Sequence, residues 1–365
     1  MKKVCIITNI PAPYRVDLFN FISNKYNNNY EINVIYSSAN EDNRGWNHKE
    51  LIHNYSILKS KTIKIRKRLD YKYIHLPVNI LEHLNKLNPD IVIASEYNPT
   101  SYLAYKWSKF KKKKFISWSD GTLNSEKQIN LIQKLIRKDI CKHSDAFIAS
   151  STRTKEAQMF YGADKEKIFI SYLTVDIESY YINRKDSNIN EITFVGRLVK
   201  LKGVDLLIEA LSNIKQDFIL NIIGDGPELN SLMKLCIKKN IASKVIFHGS
   251  KEREFIKETL SKSNIFVLPS TQECFGLVIS EAMCAGIPIV VSKYVGGAYD
   301  LVVNGENGFI VDPYDELSFT KKLELLLNDK RLNNIMGKKS KEFIQKFSFE
   351  EVAKEFVEAI EYIIN

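Results

Sequence analysis

The chain lacks any apolar run approaching the roughly 20 residues needed to span a bilayer. It is also poor in cysteine, with Cys5, Cys141, Cys236, Cys274 and Cys284 among 365 residues. These form no CxxC pair and no metal-ligand spacing, and an odd count argues against a complete disulfide framework. A reducing cytosol is the expected setting. The opening MKKVCIITNIPAPYR turns from a short apolar run straight into a loop, so neither a secretory signal nor a membrane anchor is expected there. Zinc-finger spacing and the aromatic signature of RNA-recognition domains are absent as well. Nucleic acid is therefore the weaker explanation of the formal charge of +10.

A complete dinucleotide-binding glycine fingerprint is missing too. Gly224-Asp225-Gly226-Pro227 starts one, but Leu229 stands where the third glycine belongs, and the first loop, TNIPAPYR, has no glycine. The two glycines read better as a tight strand-to-helix turn. The positive charge that is present concentrates in two clusters, Lys59–Lys72 and Lys106–Lys114, each interleaved with apolar and aromatic residues. Two readings stand for them: solvated loops and helix ends, or a patch facing anionic lipid.

Short β-rich runs alternate with helical patterns throughout. VCIITN, INVIYSS, DIVIAS, KFISWS and DAFIAS occupy the first half, and EITFVG, FILNIIG, KVIFHG, IFVLPS and IPIVVS the second. Such alternation predicts right-handed βαβ units, hence an α/β fold of two Rossmann-like, doubly wound parallel-sheet domains. The length also favours two domains. Periodicity lapses over Ser171–Asn190, which places the linker there. Ligands bind beyond the carboxyl ends of strands in open sheets, so two such domains are expected to face one another across a cleft.

The loops after the second-half strands carry the chemistry. Gly196, Arg197, Lys202 and Gly203 follow EITFVG, ahead of VDLLIEAL, whose spacing turns Leu206, Leu207 and Ala210 inward. Arginine can take a phosphate bidentately and lysine acts as a point charge, so this loop suits an anion. In PSTQECFGLVISEAMCAGIPIVVS, Gly276 precedes a helical run, and the amides of Phe275, Gly276 and Leu277 are expected at its N-terminus. Glu273 falls in the loop and Glu281 in the helix. Carboxylates are ill-suited to phosphate but accept hydrogen bonds from sugar hydroxyls. Phosphate donors and hydroxyl acceptors together describe a nucleotide sugar.

FVGRLVKLKGVDLLIEAL, IIGDGPEL, PSTQECFGLVISEAMCAGIPIVVS and VGGAYDLVVNGENGFIVDP together resemble the retaining family 4 glycosyltransferases of GT-B fold. The resemblance covers the second domain, while the entry NIPAPYRVDLF is similar to a bacterial surface-polysaccharide assembly branch. It implies an acceptor-binding domain over 1–175, completed by a C-terminal helix over 347–365, and a nucleotide-sugar domain over 190–346. Arg197 and Lys202 would then neutralise the donor diphosphate in place of a metal, no Asp-x-Asp being present. Glu273 and the amides of Phe275, Gly276 and Leu277 would hold the transferred sugar, Gly196 would line the donor site, and Glu281 would bind the ribose.

The implied reaction is retaining, metal-independent transfer of a hexose-type sugar, with UDP as the commonest carrier in the family. The acceptor would be a saccharide or lipid-linked saccharide in polysaccharide, lipopolysaccharide or capsule synthesis, and the site cytoplasmic, at the inner face of the membrane. Many relatives carry His-Asp where this chain has Ser119-Asp120; Asp120 is retained as a candidate, His143 is a candidate substitute histidine, and Arg15 and Glu96, which also follow strands or begin helices, are structural or acceptor-binding. Two alternatives are a nucleotide-sugar epimerase of the same fold and a non-catalytic, membrane-associated nucleotide-binding scaffold.

Overall fold

A computed structural model describes residues 1–41, 50–66, 71–185 and 189–364. Residues 67–70 of the first lysine cluster and 186–188 of the expected linker lie outside the described residues. Two compact units emerge, Met1–Thr174 with Phe349–Asn365, and Val175–Ser348. The α/β class read from the strand–helix alternation is the observed one, with a parallel sheet at the centre of each unit.

The first unit contains β1 (Lys2–Thr8), β2 (Tyr30–Tyr36), β3 (Asn54–Ile57), β4 (Ser60–Arg66), β5 (Tyr71–Pro77), β6 (Ile91–Ser95), β7 (Lys114–Ser119), β8 (Ala146–Ala149) and β9 (Ile168–Ile170). Seven of these form one parallel sheet in the order β3-β2-β1-β6-β7-β8-β9. Val4 and Ile6 of β1 enter the core on one face, Cys5 and Ile7 the core on the other. A strand covered on both faces needs apolar residues at every position, which is why VCII reads as an unbroken run.

The remaining pair, β4 and β5, is an antiparallel hairpin with Ser60 opposite Pro77. This corrects the reading of the Lys59–Lys72 cluster as loops or helix ends. Thr62, Ile63 and Ile65 supply β-branched residues that favour a pleated strand, a preference that the count of lysines concealed.

The final helix, Phe349–Ile364, belongs to the first unit. Val352, Phe356 and Ile360, spaced one helical turn apart, join Phe19, Ile22 and Trp118 in one core. The Phe356 ring meets Trp118 edge-on at 5.3 Å, and the Ser171 hydroxyl donates to the Val352 carbonyl at 2.9 Å.

The second unit contains β10 (Glu191–Val195), β11 (Ile219–Ile223), β12 (Val245–Gly249), β13 (Ile265–Leu268), β14 (Ile289–Ser292) and β15 (Gly308–Val311). They form a parallel sheet in the order β12-β11-β10-β13-β14-β15. The helix Val204–Ser212 buries Val204, Leu207, Ile208, Ala210 and Leu211. Leu206, expected inward, is only partly covered, because the inward stripe starts at Val204 and continues at i+3, i+4 and i+7. The expected linker carries a short helix, Ile177–Tyr180, packed on the helix Val278–Cys284.

Truncating Phe356 to alanine should remove about 3–5 kcal/mol of stability from the first unit. Trp107 and Trp118 report on that unit and the second contains no tryptophan. Urea unfolding followed by tryptophan fluorescence should therefore show the midpoint falling in Phe356→Ala.

Candidate functional site

In the second sheet the strand order reverses between β10 and β13, the position at which open parallel sheets gather their ligand-binding loops. The loop after β10 carries Gly196 and Arg197 and then a tight turn, Lys200–Lys202. The loop after β13 carries Pro269 to Gly276. The two loops lie backbone against backbone. Gly203 adopts a φ of +65°, and a β-carbon there would sit 2.3 Å from the Pro269 carbonyl oxygen. The Thr271 N–H donates to the Leu201 carbonyl at 2.8 Å across the same seam. Only glycine permits both the left-handed conformation and the approach.

That seam brings Lys202 onto Glu273. The ammonium and carboxylate form a half-buried ion pair, and the Lys202 side chain passes beside Gly196, its Cε 3.7 Å from where a β-carbon of Gly196 would stand. Arg197, half-buried, is next in the same loop. Gly224 closes the other side: at φ +138° it approaches the Gly196 carbonyl so nearly that a β-carbon would overlap it, at 1.9 Å. Gly224 and Gly226 thus serve a tight turn, as their incomplete pattern suggested. Among the sequence candidates, Gly196, Lys202 and Glu273 are assembled here, with Arg197 adjoining in the chain.

The loop holding Glu273 is fixed from the far side as well. The Glu273 carbonyl accepts from the Gly296 N–H at 3.1 Å, and the Phe275 carbonyl accepts from Gly297 at 3.1 Å. Phe275 is buried. The helix runs Val278–Cys284, and its first turn closes with Ile279 N–H to the Gly276 carbonyl at 2.9 Å. The amides of Phe275, Gly276 and Leu277 therefore precede that turn, outside the helix's own ladder.

Glu281 lies three residues inside the helix and has a different neighbourhood. Its carboxyl group is within interaction range of the Tyr180 hydroxyl and of Arg253. Burial raises its pKa to about 7, against the opposing pull of Tyr180 and Arg253. The Arg253 guanidinium stacks over the Tyr180 ring at 4.1 Å and donates to the Ser179 hydroxyl. Tyr180, Ser179 and Arg253 complete this neighbourhood. Two of them come from the stretch that lost periodicity, where no local pattern points to a site.

In the first unit Asp120 follows β7 and is held on both sides. Arg15 Nη2 donates to it at 2.6 Å, and the Asp120 N–H donates to Glu96 Oε1 at 2.8 Å. The Arg15 guanidinium also stacks on Trp118, 3.6 Å from the ring centroid. Glu96 adopts a φ of +64°, a conformation costly to a residue with a β-carbon. Burial first, then the nearby Asp120 carboxylate, raises the Glu96 pKa to about 7.

Ser119, at the position where the resemblance implied a histidine, is buried and accepts the Gly121 N–H at 3.0 Å. His143 ends the helix Leu131–His143 and is exposed, its Nδ1 2.8 Å from the Asp139 carbonyl. That helix runs from the end of β7 to the start of β8, so its last residue lies at the opposite end of the strands from Asp120.

Because Glu281 binds its proton more tightly folded than unfolded, the folded chain holds more protons between about pH 4.5 and 7, and stability attributable to this residue falls as pH rises through that window. Glu281→Gln should remove this component. Thermal unfolding of wild type and variant across the window should show their difference changing in that direction, and levelling off above it.

Residues 178–343 match the family described as Glycosyl transferases group 1. An uncharacterized glycosyltransferase of Methanocaldococcus jannaschii is 33% identical over 186 residues, 51% of this chain and 51% of that protein. The capsular polysaccharide biosynthesis glycosyltransferase CapM of Staphylococcus aureus is 35% identical over 164 residues, 43% and 42% of the two chains. The chain thus spans about half the length of these curated relatives. Among solved structures, an Anabaena protein, HepE, in complex with UDP and glucose superposes with a TM-score of 0.77 at 16% identity, covering 99% of this chain and 100% of the other. That likeness establishes a shared fold. The matched residues 178–343 make up nearly the whole second unit, so the likeness to the glycosyl transferases group 1 family lies there.

Proposed function

We propose that the chain is a retaining, metal-independent glycosyltransferase that moves a hexose-type sugar from a UDP-sugar to a saccharide or lipid-linked saccharide acceptor. The setting would be surface-polysaccharide, lipopolysaccharide or capsule assembly at the cytoplasmic face of a membrane. One observation carries the reading. Lys202 meets Glu273 beside Gly196 and Arg197 at the reversal point of the second sheet, inside the segment that matches a glycosyltransferase family. The name of the Staphylococcus aureus relative and the UDP and glucose bound by the Anabaena protein support the choice of pathway and carrier.

On this reading each side chain has a task that suits its chemistry. Breaking the bond between sugar and diphosphate builds negative charge on the leaving oxygen, and cations already in place stabilise it as it grows. Arg197 and Lys202 supply that charge. Lys202 is balanced by Glu273; a diphosphate that takes the ammonium leaves the carboxylate free to accept hydrogen bonds from sugar hydroxyls. The amides of Phe275, Gly276 and Leu277 add donors, and Glu281, oriented by Tyr180, takes the ribose hydroxyls. The first unit, with Asp120 held by Arg15, takes the acceptor. The acceptor's proton passes to the departing diphosphate oxygen on the same face of the sugar, so no protein base is required.

Arg197→Ala and Lys202→Ala should each lower turnover by a factor of about 10² to 10³, measured as UDP release in the presence of an acceptor pool. Wild-type turnover in Arg197→Ala would refute its role. A thermal-shift panel of UDP-, GDP- and ADP-sugars should give the largest rise with a UDP-sugar, since binding to the folded state raises stability by mass action. A chelator should leave turnover unchanged. Inversion of the sugar ring with donor alone would point to an epimerase instead, and donor binding without any transfer or hydrolysis to a scaffold.

A further inference from the structure

The helix Leu131–His143 of the first unit has an outer face that the core does not use. Its inner face buries Arg137, Ile140 and Cys141, and Arg137 Nε donates to Glu126 at 2.8 Å. Away from that face Leu131, Ile132 and Leu135 are 71%, 68% and 57% exposed. Isolated exposed aliphatics are ordinary on a protein surface, but three within the first turn and a half of one helix form a contiguous patch. Lys134, Lys138 and Lys142 are also exposed, and with Leu131 and Leu135 they occupy the i, i+3, i+4, i+7 and i+11 positions of one side.

The helix's only acid is turned aside. Asp139 binds Lys106 at 2.7 Å and the Tyr105 hydroxyl at 3.3 Å, so it does not offset the lysines. The helix start is firmly set by a capping box between Asn130 and Gln133. Because the helix leads from β7 back to β8, that aliphatic start stands at the carboxyl-end edge of the sheet, where Asp120 also lies.

We propose that the face formed by Leu131, Ile132, Leu135, Lys134, Lys138 and Lys142 docks on an anionic lipid bilayer, the aliphatics entering the headgroup boundary and the lysines facing the phosphates. A stripe with aliphatics at one end and cations along its length matches a surface that is apolar below and negative above. Lysine stems can lie along the boundary while their ammonium groups stay with the headgroups. A second copy of the same face would instead set lysine against lysine.

This surface differs from the lysine clusters prominent in the sequence. Within Lys106–Lys114, Lys106, Lys109, Lys113 and Lys114 are paired with Asp139, Asp145, Asp90 and Asp145. The docking is independent of the sugar-transfer reading, since it is measured without donor or acceptor.

The test is sedimentation of the full chain with vesicles of phosphatidylcholine alone or mixed with phosphatidylglycerol, at low and high salt. Selective, salt-weakened binding to the anionic vesicles is expected. The triple variant Leu131→Ser, Ile132→Ser, Leu135→Ser should lose roughly tenfold or more in vesicle affinity, with its circular dichroism unchanged. Lys134→Gln, Lys138→Gln, Lys142→Gln should lose most of the salt dependence. In a second measurement, Ile132→Trp should show a blue-shifted emission with anionic vesicles. The proposal is overturned by equal binding to both vesicle types, by wild-type affinity in the serine variant, or by a concentration-dependent dimer that the serine variant abolishes.

Discussion

The candidate site rests on one steric constraint, the contact of two loop backbones where the second sheet reverses its strand order. Gly203 lies against the Pro269 carbonyl and Gly224 against the Gly196 carbonyl, each closer than a β-carbon would allow. A larger residue at either place would force the loops apart. With the seam closed, Lys202 and Glu273 reach each other from segments 71 residues apart. The ion pair is therefore a result of backbone packing, and the positive charge that a diphosphate would meet is held by glycine geometry as much as by lysine itself.

The first unit solves a different problem at the corresponding edge of its own sheet. Arg15, Asp120 and Glu96 place three ionisable groups where water is scarce, and removing one partner of such a set leaves a buried charge unpaired. Stacking on Trp118 and the bond to Asp120 fix the guanidinium, while the Asp120 amide fixes Glu96. The left-handed backbone at Glu96 is maintained by this over-determined surrounding. Ser119 takes a backbone-capping role in the turn, which a hydroxyl performs through its acceptor oxygen.

Much of the fold was legible because fully covered parallel strands leave a plain trace, an apolar run of five or so residues between helical patterns. VCII, IVIA and IFVL all became buried central strands. The antiparallel pair β4–β5 escaped notice, since lysines interleaved its β-branched residues and Ile63, Ile65 and Leu76 stay exposed. The site was legible in its glycines and charges, which follow strands at the right places. Tyr180 was not, because it reaches Glu281 from a separate connecting stretch, and no spacing along the chain records that meeting. The exposure of Leu131, Ile132 and Leu135 is a tertiary outcome, since Arg137, Ile140 and Cys141 take the buried face of that helix.

By itself the sequence determined the alternation of strands and helices, the order of the charged loops and the helical spacing of Val352, Phe356 and Ile360, since these depend on local periodicity and steric rules. Tertiary structure alone decided which unit that last helix completes, which loops touch, and which charges are paired or left facing water. Those outcomes depend on contacts between residues distant in the chain, and a contact's energy is set by burial and distance in space, quantities that a linear order of side chains does not contain.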